Sequence, residues 1–390
     1  MAPGSAGTQD AKHVLDEIGQ QVHDQVKGEA NQYKEALTGQ LSLAKVSGWE
    51  SAYTTDPCLL IKNEGENLIR DRGDPCESLS RKDVKRFSNT LGGQCTNKKI
   101  EGNKYIKGKD VGACAPFRRL NLCNKNLETV SNYNSNARHK LLAEVCLAAK
   151  YEGESLKNYH AQYQTENTDF KTNICTVLAR SFADIGDIVR GRDLFYGNPQ
   201  ESAQRKKLEE NLKKIFKQIH SGLSKNGAQN YYQDKNGGNF FKLREDWWNA
   251  NRETVWKAIT CNAGGGTYFR PTCGTGTWTN EKCRCSDKPN DQVPTYFDYV
   301  PQFLRWFEEW AEDFCRLRKH KLQNAKSKCR RVENGKDKYC SGNGYDCEKT
   351  IRGDHVFVEG TDCKDCHYSC SHFVKWIDNQ KLEFLKQKEK

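Results

Sequence analysis

The chain has 390 residues and a formal net charge of +11 at pH 7, with 62 Lys and Arg against 51 Asp and Glu. This length exceeds what one hydrophobic core usually supports, which excludes a small single-core domain and predicts two or three structural units. The 16 Phe, 16 Tyr and 8 Trp exclude a disordered chain, and the positive charge favours a polyanionic partner: nucleic acid, anionic lipid or acidic glycan.

The 18 cysteines indicate the redox compartment. An even number at this density is typical of proteins whose disulfides persist, so we expect an oxidised, extracellular protein, which argues against nucleic acid as the partner. The pairing stays open, because 18 cysteines allow on the order of tens of millions of arrangements. No stretch of 18 residues lacks charge, so we predict no membrane span here and expect any anchor to lie outside the chain.

Neither end of the sequence has the usual features of a terminus. The first residues, MAPGSAGTQD, lack the basic and apolar regions of a secretory signal, from which we expect either a trimmed start or another export route. The last residues, KLEFLKQKEK, read as a helix without a stop signal, from which we expect a fragment of a longer protein.

An amphipathic helix is predicted near the start of the chain. Asp10 is a suitable N-cap, and the apolar residues that follow recur every three or four positions: Leu15, Ile18, Val22, Val26, Ala30, Tyr33 and Leu37. Because an isolated helix is unstable in water, we expect this apolar stripe to pack on the rest of the chain. Lys27 and Lys34 would then face solvent and could extend a basic patch.

An irregular, loop-rich region follows, from about residue 47 to residue 136. Turn residues and five cysteines dominate it, so short elements joined by disulfides are expected rather than a regular sheet. The segment NKKIEGNKYIKGK is predicted to be a flexible loop that carries five lysines: Lys98, Lys99, Lys104, Lys107 and Lys109. Loops often carry recognition, although a solvated loop without a ligand explains the same pattern.

Helical patterns dominate from about residue 137 to residue 259. Apolar residues at helical spacing include Leu178, Phe182 and Ile185, with Gly186 beside them where a second helix could approach closely. The spacing of Trp248, Arg252 and Trp256 would allow the guanidinium to lie between two indole rings. Most of the tryptophans are expected in the core, because they alternate with aliphatic residues at helical spacing.

Two basic rows are the main candidate binding residues. On the helix predicted from Pro301 to about Val332, four cations cluster on the side opposite the aromatic residues: Arg316, Lys319, Lys326 and Arg330. Lys206, Lys213 and Lys217 form a second row, opposite the apolar face of their own helix. Cations fixed in a row on a helix would suit a sulfated polysaccharide. The alternative is a solvated face stabilised by ion pairs, such as Glu209 with Lys213.

Other motifs favour structure over chemistry. Arg118 and Arg119 are expected to pair with carboxylates between subdomains. The CxxCH sequence at Cys363 matches a haem attachment pattern, and Cys283 and Cys285 together with Cys363, Cys366, His367 and His372 could be drawn as zinc ligands, but in an oxidised chain we expect disulfides and no cofactor. Two Arg-Gly-Asp triplets, at 72–74 and 352–354, are too short to indicate a receptor. No hydrolase, zinc-protease or phosphate-loop motif occurs, so an enzyme is not expected.

Five sequence blocks resemble the signature of a Duffy-binding-like domain, specifically the alpha-class head domain of the malaria-parasite erythrocyte membrane protein 1 family. They are ACAPFRRLNLC, ARSFADIGDIVRGRDLF, DWWNANRETVWKAITC, YVPQFLRWFEEWAEDFC and CKDCHYSC. The resemblance implies a mostly α fold with an N-terminal helical segment, a loop-rich first subdomain, a helix-bundle second subdomain and a third subdomain of paired long helices tied by disulfides. We place these units at residues 1–70, 71–140, 141–300 and 301–390, the last of them truncated.

The resemblance also implies adhesion rather than catalysis. The expected partners are a heparan-sulfate-like glycosaminoglycan and a red-cell surface glycan or glycoprotein receptor, bound by several weak basic patches that act together in rosetting. The expected location is the outer face of the infected red-cell membrane, and the isolated domain should be a monomer. The alternative is a structural or immune-decoy module whose adhesion is carried by neighbouring domains.

Overall fold

A computed structural model describes most of the chain: residues 10–44, 55–59, 73–80, 84–87, 93–130, 136–168, 172–223, 227–234, 237–274, 276–285, 293–333, 335–345 and 363–390. The helices are α1 Ala11–Ala30, α2 Lys34–Leu37, α3 Phe117–Leu120, α4 Lys125–Glu128, α5 Ala137–Glu166, α6 Ile174–Arg190, α7 Pro199–Ser221, α8 Ala228–Tyr231, α9 Phe241–Ile259, α10 Gln302–Cys329 and α11 Cys363–Lys388. The mostly helical, disulfide-bonded fold is as predicted. The division into units at residues 70, 140 and 300 stays a prediction.

Within the described residues, the strands are short and pair antiparallel in three two-stranded sheets. β1 (Gly93–Gln94) pairs with β4 (Ala115–Pro116), β2 (Lys104–Ile106) with β3 (Lys109–Val111), and β5 (Arg330–Glu333) with β6 (Lys336–Tyr339). β5 begins directly after α10, so the helix predicted to run to about Val332 ends at Cys329 instead.

The main core lies among α5, α6 and α9. α6 begins at the Asn173 cap, whose side chain accepts a hydrogen bond from the Cys175 backbone, and ends at Gly191 in a left-handed conformation. Gly186 permits the close approach that its sequence position suggested, because a Cβ there would lie 2.7 Å from the Trp248 ring. Trp247 and Trp248 are completely buried, which confirms their predicted place in the core.

α1 packs against this body through a different face from the one predicted. The Asp10 side chain caps the helix as expected. The face turned inward, however, is polar or small: Asp16 is completely buried, and a Cβ on Gly19 would lie 2.3 Å from the Tyr296 carbonyl oxygen. Ile18 and Val22, which belong to the predicted docking stripe, are 46% and 37% exposed. The prediction was therefore wrong for these two residues.

The inward face of α1 is held by hydrogen bonds and by ring contacts, such as those of His23 with Tyr296 and Tyr299. The Asp16 carboxylate accepts from the Tyr296 backbone at 2.7 Å and from the Tyr268 hydroxyl at 3.0 Å, and it pairs with Arg270. Burial raises the pKa of Asp16 despite these donors. Helical periodicity cannot reveal such a face, since its partners lie about 250 residues away in sequence.

α10 and α11 form a separate pair of long helices. A ladder of stacked rings runs along α10 from Phe307 to Trp310 and Phe314, and then crosses to Trp376 on α11, with centroids 5.5–5.7 Å apart. Two disulfides, Cys329–Cys366 and Cys340–Cys363, close the end of the pair. The predicted pair of helices tied by disulfides is confirmed.

Disulfides join distant parts of the chain, as the cysteine count indicated. The other bridges are Cys58–Cys261, Cys76–Cys123, Cys95–Cys114, Cys175–Cys283 and Cys273–Cys285. Cys146, Cys315 and Cys370 are free thiols, and Cys347 lies outside the described residues. None of the described helices combines the length and the apolar composition that a membrane span requires.

Candidate glycan-binding surface

The row predicted on α10 is broken at Arg316. This side chain is 1% exposed, so it does not point to solvent with the other cations of the row. Its guanidinium donates to the Asn167 side chain at 2.9 Å and lies over the Tyr163 ring, 5.0 Å from the centroid. A helical projection cannot anticipate this, because the end of α5 covers that part of α10. Arg316 is a structural residue.

The other end of the row is also displaced. Arg330 lies on β5, beyond the end of α10, so it does not share a helical face with Lys326. Its guanidinium is near the Cys340 carbonyl at 3.3 Å and over the Tyr339 ring at 4.9 Å. Lys319 and Lys326 stay exposed on α10. The rigid row of four cations is therefore reduced to two lysines.

The row on α7 has the geometry that the sequence suggested. Lys206 and Lys217 are exposed and Lys213 is half-buried, while Leu208 and Leu212 pack inward. Glu209 does not pair with Lys213, since its carboxylate binds Arg244 of α9 at 2.5 and 2.9 Å. Among the residues that the structure describes, no carboxylate lies within 4 Å of these three lysine amines.

The segment predicted as a flexible loop is a β-hairpin. β2 and β3 are joined by the two-residue turn Lys107–Gly108, in which both residues have positive φ, 48° and 80°. Such turns suit the right-handed twist of a hairpin. The sequence prediction missed it because Lys is an uncommon first residue in this turn, where Asn or Asp is usual.

The base of the hairpin is fixed by one asparagine and one disulfide. The Asn103 side chain donates to the carbonyls of Cys95 and Ala113 at 3.0 and 2.7 Å and accepts from the Ala113 backbone at 2.8 Å. The Cys95–Cys114 bridge lies beside it. The hairpin is therefore an ordered support for its three lysines, Lys104, Lys107 and Lys109, all of them exposed.

The hairpin lies against the C-terminal end of α11. The Gly112 backbone donates to the Lys386 carbonyl at 3.0 Å, and the Lys390 amine donates to the Glu101 carbonyl at 3.2 Å. Lys386 and Lys390 thus contact the hairpin and a residue before it, and Lys388 lies between them in sequence. We call the combined set the hairpin surface: Lys104, Lys107, Lys109, Lys386, Lys388 and Lys390.

The hairpin surface carries more positive than negative charge. The Lys386 amine pairs with Glu383 at 2.9 Å, which neutralises one of its cations. Lys388 and Lys390 are exposed, as are the hairpin lysines. On the hairpin itself, the register places Ile106 opposite Lys109, so Lys104 and Lys109 project from the same face. Tyr105, 64% exposed, projects from the other face.

Not all the predicted basic residues are brought together. Lys98 is exposed and Lys99 half-buried in the turn before the hairpin, where the Lys99 carbonyl accepts from the Tyr196 backbone at 2.9 Å. Lys27 is half-buried on α1 and Lys34 is exposed on α2. The α7 row lies on an element that packs on α4 and α5. Sequence patterns did not indicate Lys386, Lys388 and Lys390, because these residues lie about 280 residues from the hairpin.

Buried arginines join separate helices inside the domain. Arg118 binds Asp184 of α6 at 2.8 Å and Glu309 of α10 at 2.9 Å, and Arg119 pairs with Asp193. The predicted pairing of both arginines with carboxylates is confirmed. Burial alone would raise the pKa of Asp184, but Arg118 and Arg305 outweigh it and hold that pKa below its usual value. Because these charges are paired inside the protein, they are not part of a ligand surface.

Two other predictions about chemistry have clear outcomes. Arg252 does not lie between Trp248 and Trp256; its guanidinium binds the Asp298 carboxylate at 2.7 and 2.8 Å. Cys283, Cys285, Cys363 and Cys366, considered as zinc or haem ligands, are all in disulfides, as predicted. Arg72 and the whole of the second Arg-Gly-Asp triplet lie outside the described residues.

Three family models match the chain. The Duffy binding domain matches residues 112–305, the C-terminal subdomain of Duffy-binding-like domains matches 309–390, and the N-terminal segments of PfEMP1 match 10–45. Two curated relatives are the Duffy receptor of Plasmodium vivax, 24% identical over 71% of this chain, and the Duffy receptor beta form of Plasmodium knowlesi, 23% identical over 61%. The chain covers only 20% and 18% of their lengths.

Solved structures give stronger matches. The NTS-DBL1α1 domain of PfEMP1 from the Plasmodium falciparum varO strain is 39% identical, with a TM-score of 0.75 over 97% of this chain and 77% of that one. The NTS-DBL1α and CIDRγ double domain of the same strain is 37% identical, with a TM-score of 0.73 over 97% of this chain and 54% of that one. A PfEMP1 DBLβ domain bound to human ICAM-1 shares the fold, with 24% identity and a TM-score of 0.66 over 95% of this chain and 71% of that one. The chain therefore belongs to the Duffy-binding-like family and, within it, to the head domains of PfEMP1 that combine the N-terminal segment with DBL1α.

Proposed function

We propose that this chain is a host-cell adhesion domain that binds acidic, sulfated glycans through exposed lysine clusters, chiefly through the hairpin surface. Duffy-binding-like domains are receptor-binding modules, and they act outside the cell. For this chain the proposed partners are a heparan-sulfate-like glycosaminoglycan and a glycan or glycoprotein receptor on red cells. The proposed location is the outer face of the infected red-cell membrane, where such binding would support rosetting.

The observation that carries the proposal is the contact between the β2–β3 hairpin and the end of α11. The hydrogen bond from Gly112 to Lys386 brings together two lysine groups that lie about 280 residues apart in sequence. Both supports are ordered, so little conformational entropy is lost when a ligand binds. A sulfated chain that neutralises several of these lysines also releases their counterions, which favours association at low salt.

The α7 row and the pair Lys319 and Lys326 are secondary patches in this proposal. Each offers two or three exposed or half-buried lysines on a helix. Lys27, Lys34, Lys98 and Lys99 could extend whichever patch lies nearest. Because a sulfated polysaccharide is long, weak contacts at separate patches can add through multivalency.

The proposal is tested by an experiment that distinguishes binding to lysines in a fixed arrangement from attraction by the net positive charge. The protein is eluted with a salt gradient from a heparin matrix and from a cation exchanger of equal charge density. Later elution from heparin, with competition by heparin but not by its desulfated form, would support an arranged site for sulfated glycan. Matched elution from both matrices would indicate net charge alone and favour the structural or immune-decoy alternative.

A further inference from the structure

A free thiol lies in contact with a disulfide at the end of the α10–α11 pair. The Cys370 sulfur is 3.4 Å from the Cys329 sulfur, and Cys329 is already bonded to Cys366. The three sulfurs all lie within 4.8 Å of one another. Because Cys366 and Cys370 are four residues apart on α11, they share one face of the helix and both face Cys329.

We propose that this corner is a thiol–disulfide exchange site, in which Cys370 and Cys366 compete for Cys329. The thiolate of Cys370 attacks the Cys329 sulfur, a Cys329–Cys370 bond forms, and the Cys329–Cys366 bond breaks. Cys366 leaves as a thiolate and takes up the proton that Cys370 lost. One disulfide and one thiol are present before and after, so the step needs no external oxidant or reductant.

The residues around Cys366 and Cys370 suit both the form with the Cys329–Cys366 bridge and the form with the Cys329–Cys370 bridge. Cys366 is completely buried, and its sulfur lies 3.4 Å from the Ser341 carbonyl oxygen, which can accept the hydrogen bond of the released thiol. Cys370 is half-buried, so its thiol is partly accessible in the major form. The neighbouring Cys340–Cys363 bridge takes no part in the step and keeps the end of the β5–β6 hairpin, which follows α10, joined to α11 throughout.

The exchange has a structural consequence. Moving the bridge from Cys366 to Cys370 shifts the covalent tie by four residues, or about 6 Å along α11. The end of α10 would then be fixed at a different point of α11. The site thus gives this domain two covalently distinct forms without any change in its number of disulfides.

Cys146 provides an internal comparison. It is also a free thiol, completely buried, but its sulfur contacts the Thr254 carbonyl at 3.9 Å rather than a disulfide. Burial raises the pKa of Cys146, which makes its thiolate scarce. A Cys146→Ser variant should therefore leave the bridges around Cys329 unchanged.

The exchange is tested by mapping the bridges of the folded wild-type chain. The protein is acidified to stop exchange, blocked with N-ethylmaleimide, digested with pepsin at low pH and analysed without reduction by mass spectrometry. We expect the Cys329–Cys366 peptide pair together with a Cys329–Cys370 pair in about 0.1–10% of molecules, as for a minor conformational state. Detection of Cys329–Cys366 alone, with Cys370 completely blocked, would overturn the proposal.

Two variants provide a second measurement. In folded Cys366→Ser we expect the Cys329–Cys370 bridge in most molecules, with neither sulfur blocked by N-ethylmaleimide. In Cys370→Ser we expect only Cys329–Cys366. If both Cys329 and Cys370 are blocked in Cys366→Ser that has a native circular dichroism spectrum, the proposal is wrong. If Cys366→Ser does not fold, the wild-type map decides.

Discussion

Buried charged side chains in this domain connect neighbouring helices. Arg316 is an example of such a residue. Its guanidinium is enclosed by Asn167, Tyr163 and Asp313. Lys319, three positions further along the same helix, is exposed. The two cations look alike in a helical projection, but only the exposed one can contact a ligand without unfolding its surroundings.

We predict that Arg316→Ala lowers the free energy of unfolding by about 3 kcal/mol, because the substitution removes a buried charge and leaves its partners unpaired. Chemical denaturation measures this loss. The matched control is Lys319→Ala, which should change stability by less than about 0.5 kcal/mol. If the folded Arg316→Ala protein elutes from heparin much earlier than Lys319→Ala does, the structural role assigned to Arg316 is wrong.

His139 links the N-terminal segment to α5 in a pH-dependent way. The Gln40 backbone donates to its Nδ1 at 2.7 Å, and the Arg138 Nε lies 3.2 Å from its Nε2, so both ring nitrogens face N–H donors. Burial, together with the neighbouring Arg138, lowers the pKa of His139 to about 4. Protonation at Nδ1 would remove the acceptor that Gln40 needs.

The sign of the pH dependence follows from this depressed pKa. The stabilisation is present above the unfolded-state pKa of about 6.5 and is lost as the pH falls from there towards about 4. We predict a decrease of about 2 kcal/mol in the free energy of unfolding over this range, measured by denaturation at several pH values. In His139→Gln, which does not titrate, this part of the pH dependence should disappear; an unchanged pH profile would refute the assignment.

At the scale of elements, the sequence predicted most helices but fewer of their contacts. Helical spacing identified α6, α7 and α10, because apolar residues at intervals of three and four are a local property. The docking face of α1 was missed, since it depends on Asp16 meeting Tyr268 and Tyr296. The hairpin surface was missed for the same reason: Lys386 and Gly112 meet only in the folded chain.

Gly19 tests how α1 is held. A Cβ at this position would lie 2.3 Å from the Tyr296 carbonyl oxygen, whereas a Cβ on Gly28 of the same helix meets nothing within 4 Å. We predict that Gly19→Ala weakens the docking of α1 by about 1–3 kcal/mol, because a backbone contact must move apart. Gly28→Ala should instead stabilise the helix by up to about 1 kcal/mol.

Hydrogen exchange of the α1 amides distinguishes these two variants. Gly19→Ala should speed exchange by about fivefold or more, since a factor of ten corresponds to about 1.4 kcal/mol. Gly28→Ala should slow it or leave it unchanged. Equal protection of α1 in both variants would show that the helix does not rely on the contact between Gly19 and Tyr296.

At the scale of the whole molecule, the net charge of +11 draws any polyanion towards the surface, so weak binding to heparin alone says little. What separates an arranged site from general attraction is the placement of the lysines. The hairpin surface combines lysines from two distant parts of the chain, whereas the α7 row belongs to one helix. Reversing the same number of charges at each place keeps the net charge of the two variants equal.

The most direct measurement is therefore the salt dependence of heparin affinity in two triple variants of equal net charge. One carries Lys104→Glu, Lys107→Glu and Lys109→Glu, all at exposed positions; the other carries Lys206→Glu, Lys213→Glu and Lys217→Glu, of which only Lys213 is half-buried. We predict that the hairpin variant loses at least about tenfold in affinity and about three units of the slope of log K against log salt, and that the α7 variant loses clearly less. Equal losses in the two variants would contradict the account, because net charge alone would then explain the binding.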